Sequence, residues 1–476
     1  MSETLHTLAA GFPAKADADW RALAEKALRG ADFESTLGRA TADGISRGGT
    51  MFARPPGSGA VDTQEKDVFL PWGMRQTLVE ATAEDANTAA LADLMGGVSE
   101  LELKLDPTGQ TGLNAIDIDD MDAALKGVDL SIAPVHLDTV LGQGTHAHTL
   151  LALYARRRID GEGLKGGLGL NPIGRAARQG VALDPECFNK AKGLIDLAQA
   201  AFPQLTIFRA DGALAFEAGA SEAQELATMA ASIAAYMRLM GDCGLEADTA
   251  ASAIELRLSA DADIHLTIAK LRAARRIFAR IVSSFGAGGA ATRADIHAVS
   301  ACRMLSAKDP WTNLIRNACA GFAAASGGAD AITIRPLTDA IGRPAGFARR
   351  VARNLHILLA EESHIGKVTD PAAGSYLHET LTENLAQSAW ALFQEIERRG
   401  GLAAAFSEGW LQGEIAKARE AKLKRIAEGE EIILGVTQYP DPDPRAVETT
   451  GPWPKVDEPE TALKPVFLAA QFEGAE

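Results

Sequence analysis

The chain has 476 residues, 47% of them hydrophobic but only 5% aromatic, with a formal net charge of −16 and an isoelectric point near 5.1. That length allows one large domain with extensions or two to three domains, and the acidity excludes nucleic acid and anionic membrane surfaces as ordinary partners. No run of about 18 apolar residues occurs, so no transmembrane span is expected.

The N-terminus lacks the basic and then apolar order of a signal peptide. Cys187, Cys243, Cys302 and Cys319 are far apart and form no C-x-x-C. Their spacing predicts free thiols in a reducing cytoplasm.

Residues 1–66 read as an N-terminal extension. Within it, residues 19–30 place Trp20, Leu23, Ala24, Ala27 and Leu28 on one side of a helix. The Gly/Pro-rich stretch that follows is too poor in apolar residues to build a core, so this arm is expected to lie on the chain or wrap a partner. Residues 67–400 alternate strand and helix. Strands are expected at 99–105, 128–137, 166–172, 205–216, 254–260, 297–305, 329–337 and, most weakly, 366–375. Helices are expected at 121–127, 148–160, 186–202, 221–240, 263–285, from the Asp309 N-cap, at 344–362 and at 377–399. Ser221 with Gln224 fits a capping box. Eight strand–helix units predict a closed (β/α)8 barrel, with an open doubly wound sheet as the alternative. Residues 401–476 read as one or two helices and an acidic, Pro-rich arm.

Several motifs have bland readings that outweigh the sharp ones. GGLGLNPIG (166–174) matches no phosphate-loop pattern. His146 and His148 have no carboxylate or cysteine at ligand spacing, so no metal site is expected. Glu361, Glu362 and His364 fall at a helix end, as solvated charged turns do. His297 lies within a strand and reads first as a structural histidine.

The charge pattern of the strands is less ordinary. Barrel strands covered by helices usually read as continuous apolar runs. Here Glu100, Glu102 and Lys104 alternate in one strand and Glu255 and Arg257 in another, while Arg209, Arg303 and Arg335 fall in three more. With apolar faces on the helices, these charges should point into the lumen. They should form a plug of buried pairs, Arg257 neutralising an acid such as Glu255.

FLPWGMRQ (69–76), GALAFEAGASEAQELA (212–227), IAKLRAARRIFARIVSSFG (268–286), LSAKDPWTNLIRN (305–317) and residues 347–390 together resemble the methylmalonyl-CoA mutase family, over roughly residues 16–440. The resemblance implies an acyl-CoA mutase barrel and a radical isomerisation of methylmalonyl-CoA and succinyl-CoA that uses adenosylcobalamin. The catalytic pattern G-Y-H-M-Q-E-A-G-A reads GALAFEAGA here, so its tyrosine is Ala213 and its histidine Leu214. The tyrosine of Y-x-F-R-P-W is Asp67. The carboxylate-binding arginine aligns near Gln179, one substrate glutamine near Gly169 and another with Val299, while the neighbouring His297 is kept as a possible pocket residue. The cobalamin motif D-x-H-x-x-G is matched only by Asp263-x-His265 and Asp295-x-His297, which continue to Ile268 and Ser300 instead of glycine. No cobalamin-binding flavodoxin-like domain is therefore expected on this sequence. The resemblance implies the non-catalytic small subunit of a cytoplasmic heterodimer, with a large subunit holding substrate and adenosylcobalamin. The alternatives are a substrate-binding barrel of a split mutase and a free-standing CoA-ester-binding protein.

Overall fold

The computed structural model describes residues 16–38, 40–47, 69–115, 117–139, 144–184, 186–455 and 459–474. Eight parallel strands close into a barrel in sequence order. They are β1 (Gly73–Leu78), β2 (Glu100–Lys104), β3 (Val135–Asp138), β4 (Gly166–Leu170), β5 (Thr206–Asp211), β6 (Ile254–Ala260), β7 (Asp295–Ser300) and β8 (Ala331–Thr333). β8 closes on β1 through Gly73 and Ala331.

The expected barrel is thus present, but one strand was misplaced. β1 replaces the expected strand at 366–375, which is a 3-10 turn at Ile365–Lys367 followed by turns. Asp370-Pro371 and Gly374 are turn formers, and proline cannot donate to a ladder. Other strands are shorter than expected, β8 among them, which spans only Ala331–Thr333. Pro134 holds β3 back to Val135. β5 stops at Asp211, and Ala213–Glu217 is a short helix. β7 stops at Ser300, before a 3-10 turn at Cys302–Met304. The helix expected from Asp309 starts at Thr312, although Asp309 Oδ1 still accepts from Thr312 N at 3.2 Å.

The period-2 alternation sorts the two faces. Leu101 and Leu103 of β2 and Ile254, Leu256 and Leu258 of β6 are fully buried under helices. The helix Glu222–Asp242 opens on the Ser221 capping box and buries Ala223, Ala227, Ala230, Ala231 and Ala234. Such small side chains let it pack closely beside Ile264–Ser284 and Tyr376–Arg398. Ion pairs lie between these helices: Lys270 to Glu225 at 2.5 Å, and Arg272 to Glu379 at 3.1 Å.

Parts of both flanking segments lie on the barrel. The Asp43 carboxylate accepts from the Ser221 hydroxyl and, at 3.1 Å, from Ala223 N, while Ile45 joins the core. The helix Asp17–Ala27 packs little, leaving Leu23 67% exposed. At the other end, β10 (Thr449–Gly451) pairs antiparallel with β9 (Arg343–Pro344). From there the Pro-rich tail runs back over the C-terminal ends of the barrel strands. Trp453 Nε1 donates to Asp339 O, Leu463 N to Ala177 O and Val466 N to Glu217 O, each at 2.8 Å. Among the described residues no helix is long and apolar enough to cross a membrane.

Candidate functional site: a plugged lumen beneath a closed mouth

The lumen is filled by charge. Arg209 of β5 reaches Glu255 Oε2 at 2.8 Å through Nε, and its Nη2 lies 3.0 Å from Glu102 Oε1. Arg75 of β1 donates to Glu255 at 2.5 Å and to Glu100 at 2.9 Å, and touches His136 Nε2 at 3.0 Å. Arg257 donates to Asp138 at 2.9 Å and sits 3.8 Å from Glu102. Thr77 Oγ1 completes the set on Glu102 at 2.9 Å. Arg75, Glu102, Arg209 and Glu255 are each no more than 2% exposed.

The titration shifts follow from this arrangement. Burial alone would raise Glu102, but Arg257, Arg209 and Arg75 overcome it and hold the carboxyl at about 2. Glu255 is held well below the carboxylate range against its own desolvation, chiefly by Arg75 and Arg209. His136 goes the other way, held down at about 4 by burial and then by Arg75, so it stays neutral.

Of the eight lumen charges expected from sequence, Glu100, Glu102, Arg209, Glu255 and Arg257 belong to the plug. Arg257 serves Asp138 and Glu102, not Glu255 as expected. Residues i and i+2 of a strand stand about 6.7 Å apart and point the same way, so each finds its partners on other strands. Lys104 rises to the mouth without joining the pairs. Arg303 and Arg335 lie beyond the strands. Arg303 pairs with Asp261 at 2.9 Å and lies 3.2 Å over the Phe216 ring, while Arg335 pairs with Asp339 at 2.9 Å. The sequence reading missed Arg75, His136 and Asp138. The alternation in GMRQTL and VHLD was the signal for them.

Above the plug is a mouth cavity of about 430 Å³, lined by Ala213, Leu214 and Val299 among others. Three of the positions singled out by resemblance therefore converge there, and none carries a group that can transfer a proton. Gln179 lies apart, in a groove of about 590 Å³ with His148 and Cys187. Asp67 lies outside the described residues. At Gly169 the backbone has φ +59°, and a Cβ there would meet Leu137 O at 1.8 Å, so no glutamine side chain fits without a backbone shift. His297 is fully buried in the lumen, its Nε2 2.8 Å from Thr333 Oγ1. Burial, followed by Arg75, holds it well below the histidine range. It is a lumen residue and does not line the cavity.

Neither D-x-H motif carries the glycine of the cobalamin pattern, with Ile268 and Ser300 in its place. Of the two D-x-H histidines, His297 is sealed in the lumen, and His265 Nδ1 faces His378 Nε2 at 3.1 Å across two helix starts. The other motifs also resolve. GGLGL is β4, ending on the Asn171 N-cap, whose side chain accepts from Gly174 N. Among the described residues no group of three metal-ligating side chains forms, and all four cysteines are free.

A sequence model of the family described as methylmalonyl-CoA mutase matches residues 67–462. The chain is 36% identical to the methylmalonyl-CoA mutase small subunit of Streptomyces virginiae, over 93% of this chain and 73% of that protein. It is 35% identical to the small subunit of Propionibacterium freudenreichii subsp. shermanii, over 79% of this chain and 58% of that one. To the large subunit of Porphyromonas gingivalis it is 28% identical, over 79% of this chain and 55% of that one. The chain spans less than two thirds of the latter two relatives.

Proposed function

Since the chain belongs to the methylmalonyl-CoA mutase family, we propose that it is a non-catalytic small subunit. It would pair with a large subunit that holds acyl-CoA and adenosylcobalamin, and its task would be to complete and stabilise that assembly. The observation that carries this reading is the barrel axis itself. Arg209 bridges Glu102 and Glu255 across the lumen, and the strand end above it presents Ala213 and Leu214. A pantetheine arm needs a passage lined by small side chains, and the tyrosine and histidine of the family's catalytic pattern have no counterpart at this strand end, where the titratable group beside Ala213 and Leu214 is Asp211. The relatives named as small subunits support the same reading. The sparsely packed helix Asp17–Ala27, with Leu23 exposed, supports residues 1–66 as the arm that wraps the partner.

The test is co-expression with a cognate large subunit, followed by cobalamin titration and mutase assay of each chain and of the complex. The complex should isomerise methylmalonyl-CoA, and this chain alone should neither turn over substrate nor bind cofactor. One-to-one micromolar cobalamin binding by the isolated chain would refute the reading and favour a split mutase. Deleting residues 1–60 should weaken association by several kcal/mol, because a wrapped arm buries apolar area; unchanged affinity would reject the arm.

A further inference from the structure

The mouth cavity holds a cation that the wall does not neutralise directly. Lys104 ends β2 and lines the cavity, its ammonium group 5.9 Å from the Trp453 ring centre. Among the described residues none forms an ion pair or hydrogen bond with that ammonium. Of the other cations of the wall, Arg257 is answered by Asp138, Arg335 by Asp339 and Arg349 by Asp93 and Glu80, and Arg178 adds a further positive charge. Burial pushes the Lys104 amine down, with Asp138 and Asp339 opposing from a distance. The wall also carries Asp138, Glu217 and Asp339, which Arg257 and Arg335 engage, and Asp211; its apolar part is Leu214, Val299, Trp453, Pro454, Pro465 and Phe467. The plug forms the floor of the cavity, and Trp453, Pro454, Pro465 and Phe467 of the tail lie along it. Its volume, about 430 Å³, is that of a small-molecule site.

We propose that this cavity binds a small organic carboxylate, its anionic head on Lys104 and its apolar body against the tail. The site is a property of this chain and does not rest on its assembly with a partner. No covalent step is involved.

The test uses the full chain, with hexanoate, inorganic phosphate and chloride compared at constant ionic strength by calorimetry and thermal unfolding. Hexanoate should bind saturably at one site and raise Tm, phosphate and chloride at least tenfold more weakly. Lys104→Met should fold at least as stably as the parent and lose at least tenfold in hexanoate affinity. Trp453→Ala, which truncates the apolar wall and leaves Lys104 in place, should also weaken hexanoate and serves as the second variant should Lys104→Met fail to fold. No saturable hexanoate response, or a response unchanged in both variants, overturns the proposal. Phosphate binding as tightly as hexanoate overturns the carboxylate assignment.

Discussion

Replacing Arg209 by methionine tests the plug most directly. The substitution keeps the side-chain volume nearly constant and removes the one cation that contacts both Glu102 and Glu255, at 3.0 and 2.8 Å. Glu255 keeps Arg75 at 2.5 Å, so most of the loss falls on Glu102, left with Thr77 and a distant Arg257. The depression of Glu102 from 4.5 to about 2 is net of its own desolvation, and Arg257, Arg209 and Arg75 produce it together. Breaking a buried pair at one end costs about 3–5 kcal/mol, a large part of the roughly 5–15 kcal/mol typical of a domain. The sign with pH is fixed as well. Glu102 has a depressed folded-state pKa, so its contribution is present above pH 4.5 and fades as pH falls toward 2. In Arg209→Met the folded-state pKa of Glu102 moves back toward its unfolded value, so that acid-dependent loss should shrink. Urea unfolding between pH 3 and 7, followed by circular dichroism, measures both effects. Arg209→Met combined with Glu102→Leu should recover much of the stability, because removing both partners leaves no stranded charge. A loss under about 1 kcal/mol, or a double variant no better than the single, would refute the plug as an energetic unit.

Three further outcomes are expected. Burial raises Asp211 to about 6, so as pH rises from about 4 to 6 the unfolded chain ionises first and stability falls; Asp211→Asn should flatten that slope and raise Tm at pH 7, and an unchanged pH profile would contradict it. Ala213→Tyr with Leu214→His should leave the chain inactive in a mutase assay, because the lumen beneath is still filled; activity would show that the strand end alone had silenced it. Ser221→Ala removes the cap and the partner of Asp43 and should cost about 1–2 kcal/mol in chemical denaturation, a figure that a neutral variant would disprove.

The sequence by itself determined which face of each strand is charged and where the long helices begin. Glu102, Glu255 and Arg257 were readable as lumen residues because side chains alternate with period two, and Ser221 because a capping box is complete within four residues. These are local signals, settled by backbone geometry that every chain shares. Only the tertiary structure decided which acid meets which base. Arg257 finds Asp138 from a strand more than a hundred residues away, a pairing set by barrel closure and strand register, on which no neighbouring residue reports. The same holds for β1, whose six residues carry a glycine and three polar side chains and gain strand character from pairing with β2 and β8. It holds again for the tail, whose proline-rich composition reads as a free arm. Its place over the mouth comes from backbone bonds to Ala177, Glu217 and Asp339, groups that only the folded barrel brings within reach.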